Sequence, residues 1–320
     1  MAIPSKFKKI FITGGAGFIG SHLVDILVSE KRQVIVFDNL SSGKKDFLKK
    51  SASKKNFKLV EGDMLNPAQI KTALPEDTDL VVHLASNPDI SKGIHDPTLD
   101  FNQTTIATFN LLQEMKEKKI KNLIFFSGSG IYGDVGKVFT KENYGPLLPI
   151  SMYGATKLSA EGLVSAFSNL FGIHAVIFRP ANIIGGRATH GVVFDFLAKL
   201  KKNPNELQIL GDGKQSKSYL YVDDVLDAVF IALRKTRGRI AVYNIASTSF
   251  ITVNEIASSA ISALGLKDVK IAHTKGKIGW PGDIPIVRID SAKIRKIGWK
   301  EKFSSRQAVK KTLRDLLETV

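Results

Sequence analysis

The chain has 320 residues, 43% of them hydrophobic, so it can bury a large core and is near the size at which one core divides into two lobes. It has no cysteine, which excludes a disulfide framework and a thiolate metal site, and its six histidines lack a pair at helical ligand spacing, so we predict no metal. No apolar run is long enough to span a membrane and no apolar leader opens the chain, so we expect a cytoplasmic protein without a membrane partner.

The net charge of +16 favours anionic partners, and nucleic acid is one of them, because clusters of Lys and Arg bind phosphate. The lysines form short blocks that fall mostly on predicted helix faces and loops: 44–58, 116–121, 199–202 and 293–302. Charge runs of this kind are typically solvated surface. We therefore expect no nucleic acid, and a basic surface also suits small anionic ligands.

The stretch from Ile10 to His22 joins a predicted buried strand to a predicted helix through a glycine-rich turn. The apolar pattern changes from a short run to helical spacing at Phe18 and Ile19. Glycines at intervals of three occupy the changeover: Gly14, Gly17 and Gly20. Glycine permits a tight turn with positive φ and close approach of a diphosphate, while the N–H groups at the helix N-terminus face the phosphates. This segment predicts a dinucleotide site.

A second predicted strand, Gln33–Phe37, ends at Asp38. A carboxylate there can accept hydrogen bonds from a ribose 2′-OH and would repel a 2′-phosphate, which favours NAD over NADP. The polar loop that follows is expected beside the adenosine ribose: Asn39, Ser41, Ser42 and Gly43.

Further strands are predicted at 57–60, 79–84 and 122–126. Asp63 and Met64, after the first of these, are expected to hold the amino group and the face of an adenine, with a helix-capping Asp63 as the alternative. Residues at the end of the second let the phosphates and ribose pass: Leu84, Ala85 and Ser86. Pro97–Lys119 is predicted as one long helix. The repeated strand, turn and helix units predict a parallel, doubly wound sheet with ligands at the carboxyl ends of its strands.

The segment Ser151–Lys157 opens a helix predicted to end near Phe171. Tyr153 and Lys157 are four residues apart, so they share one face of this helix. A tyrosine at its usual pKa of about 10 is a poor base at neutral pH, but a nearby ammonium favours the phenolate and lowers that pKa. The pair is a candidate proton-transfer device, although the same spacing occurs on many helix surfaces.

A sixth strand is predicted at 174–179, and after Pro180 the rhythm of strands and helices loosens. We predict an α/β fold with a Rossmann-type doubly wound parallel sheet over residues 1–180, on which 212–248 packs back. Residues 181–320 are predicted to form a smaller mixed α/β C-terminal lobe that binds the substrate.

In order and spacing, the glycine turn, Asp38, Asp63 and the Tyr153–Lys157 pair resemble the extended branch of the short-chain dehydrogenase/reductase superfamily. The resemblance continues to the end of the chain through Arg179-Pro180-Ala181-Asn182, Gly211-Asp212-Gly213, Tyr221-Val222-Asp223-Asp224-Val225, Pro281-Gly282-Asp283 and Ile297-Gly298-Trp299. Within that branch the chain is most similar to NAD-dependent UDP-glucose (UDP-galactose) 4-epimerases of the archaeal type.

The resemblance implies 4-epimerisation of a UDP-hexose through a transient 4-keto sugar, with NAD retained as a prosthetic group. Tyr153 would take the proton from the sugar 4-OH, while Lys157 would bond the nicotinamide ribose and hold the tyrosine's pKa down. The other residues implied are Thr104, Ser127 and Pro180 at the cofactor, and Asn182, Lys217 and Tyr219 at the substrate. A homodimer is also implied, paired through helices around 106–115 and 158–167.

The chain departs from the family at several positions. Gly128 stands where the family has a Ser or Thr that relays a hydrogen bond to the 4-OH. Ser129 is our candidate replacement, with water in its place or a weak activity as the alternatives, because a regular strand would point Ser129 to the other face. Three further departures are Thr104 in place of an asparagine, and Lys217 and Trp280 in place of arginines; loss of the bidentate guanidinium leaves the identity of the sugar nucleotide open.

Two alternatives stay open. One is an NAD-linked epimerase of another nucleotide sugar, such as a UDP-uronate or a UDP-N-acetylhexosamine. The other is a non-catalytic protein that binds NAD or a nucleotide sugar, which Gly128 suggests. Dehydratases and decarboxylases are disfavoured, because those relatives carry acids where this chain has Ser129 and Gly130.

Overall fold

The computed structural model describes residues 3–274 and 276–318. The strands are β1 (Lys9–Thr13), β2 (Gln33–Asp38), β3 (Phe57–Glu61), β4 (Leu80–His83), β5 (Asn122–Phe126), β6 (His174–Pro180), β7 (Asn182–Ile184), β8 (Glu206–Ile209), β9 (Ser216–Lys217), β10 (Tyr219–Tyr221), β11 (Ile240–Ile245), β12 (Ile251–Thr252) and β13 (Lys270–His273). The α-helices are α1 (Phe18–Ser29), α2 (Lys49–Ala52), α3 (Pro67–Ala73), α4 (Lys92–His95), α5 (Pro97–Asp100), α6 (Ala107–Glu117), α7 (Met152–Phe171), α8 (Val192–Lys202), α9 (Val222–Lys235), α10 (Val253–Ala263), α11 (Ala292–Lys296) and α12 (Ser305–Glu318).

The main sheet has seven strands in the order β11-β6-β5-β4-β1-β2-β3. Neighbouring strands from β6 to β3 pair in parallel. The chain moves outward from β1 to β3 and then returns to place β4 on the other side of β1, and this reversal opens a crevice at the carboxyl ends of the two strands. The Rossmann-type parallel sheet predicted from the sequence is therefore confirmed.

The sheet is stable because its central strands are buried on both faces, as parallel strands covered by helices must be. In β1 every residue after Lys9 is buried, and all of β4 is buried. A large apolar cluster forms around Phe11, Phe125, Leu111 and Val164, which come from β1, β5, α6 and α7. This packing fixes the carboxyl ends of the strands, where the candidate site residues lie.

The prediction of one continuous α-helix at Pro97–Lys119 is wrong, because a π-helical segment interrupts it. Asp96 caps α5 by accepting hydrogen bonds from the N–H groups of Thr98 and Leu99, but the α-helical pattern stops at Asp100. A π-helical segment, Phe101–Ile106, follows, and α6 begins only at Ala107. The segment widens the turn that carries Thr104, and π-segments inside helices are frequent at functional sites.

The chain divides into two compact units, and the sequence-based assignment of cofactor and substrate to two lobes stays a prediction. The first unit comprises the segment ending at Gly128, Met152–Arg179 and Leu226–Tyr243. It contains most of the seven-stranded sheet and the helices α1 to α7.

The second unit comprises Ser129–Ser151, Pro180–Val225 and the segment from Asn244 onward. Within it β7 pairs with β10, β8 with β13, and β9 with β12. Helices α8, α10 and α12 pack on one another, and α10 begins with a capping box between Thr252 and Glu255. The indole of Trp299 is buried and donates to the carbonyl oxygen of Asp224 at 2.8 Å.

Within residues 3–274 and 276–318, none of the helices is both long and apolar enough to cross a membrane. The same residues contain no cluster of three or more His, Asp or Glu side chains placed to hold a metal ion.

Candidate active site

The glycine turn after β1 has the form that the sequence predicts. Gly14 has φ +70°, and a β-carbon there would lie 2.7 Å from the backbone nitrogen of Ala85, so no other residue fits without strain. A β-carbon at Gly20 would lie 2.4 Å from the carbonyl oxygen of Gly14, so this glycine permits close packing of α1. Gly17 precedes α1 and caps it without a side chain, so the N–H groups at the helix start, beginning with Phe18 and Ile19, can bind an anion.

Asp38 is held at the end of β2 by backbone donors. The N–H of Ala16 donates to its Oδ2 and the N–H of Leu40 to its Oδ1, both at 2.9 Å. Burial raises the pKa of this carboxyl, while the two hydrogen bonds oppose that rise. Each oxygen keeps a further lone pair that can accept from a ribose diol.

The loop after Asp38 folds across the glycine turn. The N–H of Lys44 donates to the carbonyl oxygen of Ala16 at 3.0 Å, and a β-carbon on Gly43 would lie 3.0 Å from Asp38 Oδ1. Asn39 accepts hydrogen bonds from the backbone and hydroxyl of Ser41, which is exposed, as is Ser42. These predicted residues are therefore brought next to the Asp38 carboxylate.

Asp63 and Met64, the residues predicted at the adenine, follow the end of β3. Asp63 is half-buried and accepts from the N–H of Leu65 at 2.9 Å, as a turn-forming aspartate does. Met64 is buried in the core cluster, with its carbonyl oxygen bonded by the side-chain amide of Asn110. A role for both residues at an adenine stays a prediction.

A buried chain of hydrogen bonds connects the end of β4 to the π-segment. Thr108 Oγ1 donates to the carbonyl oxygen of Thr104 at 2.6 Å, so it accepts from His83 Nε2 at 3.0 Å. His83 Nδ1 is then unprotonated and accepts from Thr13 Oγ1 at 2.6 Å. Burial, with the charge of Lys157, lowers the pKa of His83 to about 3, so the ring is neutral at physiological pH. Ala85 joins the chain by donating its N–H to Thr13 Oγ1 at 3.3 Å.

Two of the predicted cofactor residues carry buried hydroxyl oxygens that have no hydrogen-bond partner among the described residues. They are Thr104 on the π-segment and Ser127 after β5. A buried hydroxyl without a partner is costly, so each favours a polar ligand. With the glycine turn and Asp38, these orphaned atoms fit a dinucleotide along the carboxyl edge of the sheet.

Lys157 lies under the end of β5. Its Nζ donates to the carbonyl oxygen of Phe126 at 2.9 Å and lies 5.6 Å from the ring centroid of Tyr153. Only 3% of the residue is exposed. Burial lowers the pKa of its ammonium to about 8, and the carboxylates of Asp100 and Glu161 oppose that fall.

Tyr153 occupies the same face of α7, as predicted. Burial raises the pKa of its phenol to about 12, and the Asp100 carboxylate adds to the rise. Among the chain's own groups, desolvation of the phenolate is therefore the largest effect on this pKa. That Lys157 holds the pKa down during catalysis stays a prediction. A further positive charge beside the phenol would favour the phenolate.

Gly128 is the last residue of the first of the three segments that form the first unit. It lies against the phenol of Tyr153. The regular strand ends at Phe126, and Ser129 opens a 3₁₀-helix, Ser129–Tyr132, in the second unit. The strand alternation that would turn Ser129 away therefore does not apply, and its catalytic role stays a prediction.

In the second unit, the predicted substrate residues lie on paired strands. Asn182 on β7 is opposite Tyr219 on β10, and its side-chain amide donates to the carbonyl oxygen of Ser218 at 3.1 Å. Tyr219 is buried, and burial together with the Asp283 carboxylate raises its pKa. Pro180, at the end of β6, is buried as well.

Lys217 has a partner that the sequence did not predict. Its Nζ donates to Asp283 Oδ1 at 2.6 Å, and the N–H of Gly279 donates to Asp283 Oδ2 at 3.1 Å. Asp283 is 7% exposed, so the pair is largely desolvated. The sequence singled out Asp283 only as part of the Pro281-Gly282-Asp283 motif, and it gave no sign that Lys217 is the partner of this acid.

The chain matches the family described as "NAD dependent epimerase/dehydratase family" over residues 10–246. A putative UDP-glucose 4-epimerase of Methanocaldococcus jannaschii is 29% identical over 309 residues, which cover 95% of this chain and 97% of that protein. Among solved structures, a UDP-galactose 4-epimerase is 34% identical with a TM-score of 0.87, covering 98% of this chain and 99% of that chain. A UDP-N-acetylglucosamine 4-epimerase from Methanobrevibacter ruminantium M1, solved with UDP-N-acetylmuramic acid, is 28% identical with a TM-score of 0.87, covering 98% of this chain and all (100%) of that chain.

The family match covers well over half of the chain, and it includes the glycine turn, Asp38 and the Tyr153–Lys157 pair. The solved epimerases share the fold over nearly the full length of both chains. The chain therefore belongs to the NAD dependent epimerase/dehydratase family and is an NAD-dependent epimerase.

Proposed function

We propose that this epimerase interconverts UDP-glucose and UDP-galactose by inverting C4 of the hexose through a transient 4-keto sugar. The observation that carries the proposal is the placement of Tyr153 beside Lys157 on α7, under the end of β5. The similarity to a UDP-galactose 4-epimerase at 34% identity supports the choice of hexose.

The residues at the carboxyl edge of the sheet would hold NAD. Gly14, Gly17 and the start of α1 suit the diphosphate, Asp38 suits the adenosine ribose, and the orphaned hydroxyls of Thr104 and Ser127 supply polar contacts. When bound, NAD would supply the acceptor for a hydride from C4 and would return it to the opposite face of the same carbon, so that C4 is inverted. Each turnover leaves it in its starting state, so we expect it to stay on the protein.

Tyr153 is the proposed base and acid of the proton transfer. It takes the proton from the sugar 4-OH as C4 is oxidised and returns it when C4 is reduced. Lys157, held by the Phe126 carbonyl, stays positively charged and favours the phenolate. Ser129 is the proposed hydrogen-bond relay in place of the hydroxyl that Gly128 lacks.

The proposed substrate contacts in the second unit are Asn182, Lys217 and Tyr219. Lys217 supplies a positive charge for the diphosphate, and its ion pair with Asp283 fixes the position of that charge. An ammonium binds phosphate as a point charge rather than through a planar fork, so the diphosphate can be held in more than one orientation.

A homodimer is part of the proposal. Three large apolar side chains on neighbouring helical segments are exposed to solvent. Phe101 on the π-segment is 46% exposed, Phe109 on α6 is 40% exposed and Leu170 on α7 is 73% exposed. Apolar side chains on neighbouring helices favour a face that a second copy covers. Light scattering on the purified protein would measure about twice the chain mass of 35.0 kDa, and a monomeric mass would contradict the dimer. A cytoplasmic location completes the proposal.

The substrate is tested with a panel of UDP-sugars, namely UDP-glucose, UDP-glucuronate and UDP-N-acetylglucosamine. The proposal predicts the highest kcat/KM for UDP-glucose. A higher value for UDP-N-acetylglucosamine would favour the alternative that the Methanobrevibacter ruminantium relative suggests. Activity on none of them, together with NAD retained on the protein, would favour a non-catalytic binding protein.

A further inference from the structure

Four charged side chains are buried together around α7 in the first unit. Their exposed fractions are 0% for Asp100, 3% for Lys157, and 6% for both Glu161 and Arg179. Burial of a charge is costly unless an opposite charge compensates for it. The partner of each charge therefore matters to the chemistry of the site.

Glu161 and Arg179 satisfy one another. Arg179 Nε donates to Glu161 Oε1 at 3.0 Å, and Arg179 Nη2 donates to Oε2 at 2.6 Å, which is a bidentate pair. The Glu161 carboxylate also attracts Lys157, but it already forms the bidentate pair with Arg179. Lys157 thus needs a second carboxylate if its own charge is to be balanced.

Asp100 can provide this second carboxylate. The residue ends α5, and its Oδ1 accepts from the side-chain amide of Asn87 at 2.9 Å. Its Oδ2 is buried and has no hydrogen-bond partner among the described residues. A β-carbon on Gly93 would meet this oxygen at 2.1 Å and the β-carbon of Met152 at 3.5 Å, so the carboxylate lies close to the first turn of α7. Negative charge is favoured at a helix N-terminus.

The other titratable groups near this pair do not replace Asp100. His83, from β4, is neutral because burial lowers its pKa. Tyr153, from α7, is a neutral phenol, because burial raises its pKa. Asp89 and Asp96 flank Asp100 and repel it, but their carboxylates already bond Ser91 and Thr98 near the surface. Burial raises the pKa of the Asp100 carboxyl itself, while the hydrogen bond from Asn87 and the charge of Lys157 oppose that rise. An ionised Asp100 would balance the charge of Lys157, as Glu161 balances that of Arg179.

We propose that Asp100 is the buried counter-ion that keeps Lys157 positively charged, and that it acts on proton transfer as a positioning residue. The inference rests on the proposed function for its role in turnover, but not for the electrostatics. Asp100 also opposes ionisation of Tyr153, so removing its charge affects the phenolate in two opposite directions. The ionisation of Lys157 itself is therefore the decisive readout.

The test is an NMR titration of protein labelled with ¹³C at lysine Cε, with the Lys157 signal assigned from its absence in Lys157→Arg. Asp100→Asn keeps the shape of the side chain and can still accept from Asn87. We expect Lys157 to lose its proton at least one pH unit lower in Asp100→Asn than in the wild type, a tenfold change in proton affinity. The alkaline limb of the kcat profile should move in the same direction.

Asp224→Asn is the matched control, because Asp224 is also fully buried but belongs to the second unit. It should leave the Lys157 midpoint in place. If Asp100→Asn does not fold, Asp100→Ser removes the same charge with a smaller side chain and carries the same expectation. A Lys157 midpoint unchanged by loss of the Asp100 charge would overturn the proposal. The titration needs no substrate, so this result is separate from any failure of the epimerase assay.

Discussion

A β-carbon placed on Gly128 would lie 3.1 Å from the hydroxyl oxygen of Tyr153 and 3.3 Å from Cε1 of its ring. Ordinary van der Waals contact begins at about 3.5 Å, so the phenol occupies space that a side chain at position 128 would need. Gly128 therefore has two consequences. It removes the hydroxyl that the family uses as a relay, and it leaves room for the phenol of Tyr153.

Adding a β-carbon at position 128 should lower turnover. Gly128→Ala is expected to reduce kcat roughly tenfold, because the reacting hydroxyl must move by a few tenths of an ångström. Gly128→Ser adds the same carbon together with the hydroxyl found in the family, so it should recover part of that loss without exceeding the wild type. Steady-state kinetics on all three proteins measure this. A Ser variant far more active than the wild type would indicate a crippled site.

The ionisation of Tyr153 should depend on the cofactor. Without NAD its pKa is raised to about 12 by burial and by Asp100, so it stays protonated at neutral pH. The positive nicotinamide of oxidised NAD should lower this pKa towards neutrality. Ultraviolet difference titration, with Tyr153→Phe subtracted to remove the other tyrosines, measures the phenolate with and without cofactor. An identical midpoint in both states would exclude the cofactor charge as the activating group.

The same Tyr153→Phe variant should lose at least about a hundredfold in turnover, which is the range for losing a general acid–base group. It should still retain NAD, because the cofactor contacts on the glycine turn and Asp38 are untouched. Turnover near that of the wild type would show that another residue is the base.

The ion pair between Lys217 and Asp283 predicts a substrate effect. Lys217→Ala removes the charge proposed for the diphosphate and leaves a buried carboxylate unpaired, so KM for the UDP-sugar should rise roughly tenfold to a hundredfold. Lys217→Arg keeps the charge and should retain activity. The exposed neighbour Lys214→Ala is the control and should leave KM unchanged. Equal KM values in the Lys217→Ala and wild-type enzymes would remove Lys217 from the substrate site.

His83 should make the fold sensitive to acid. Its pKa is lowered from 6.5 to about 3 in the folded chain, so the unfolded state takes up a proton that the folded state refuses. Stability is therefore lost as pH falls below 6.5, by up to about 1.4 kcal/mol per pH unit from this residue. His83→Gln cannot titrate and should show a shallower loss in denaturant unfolding at each pH, whereas the exposed His95→Gln should not. A wild-type slope in His83→Gln would contradict this assignment.

The sequence was sufficient to predict the sheet and the residues at its carboxyl edge, because strand patterns and the spacing of Gly14, Gly17 and Gly20 are local signals. It did not reveal the π-segment at Phe101–Ile106, since a widened turn leaves the apolar stripe of a helix almost unchanged. The pairing of Lys217 with Asp283 joins residues 66 positions apart, and such contacts leave no local pattern. Likewise, the burial that raises the pKa of Tyr153 depends on tertiary packing, whereas its spacing from Lys157 does not.

The most direct test of the account is to incubate the purified protein with UDP-galactose and, separately, with UDP-glucose, without added NAD, and to follow the products by chromatography. The account predicts interconversion in both directions, because the cofactor is carried on the protein and regenerated in each turnover. No interconversion of either sugar, with the cofactor site shown to be filled, would contradict the proposed function.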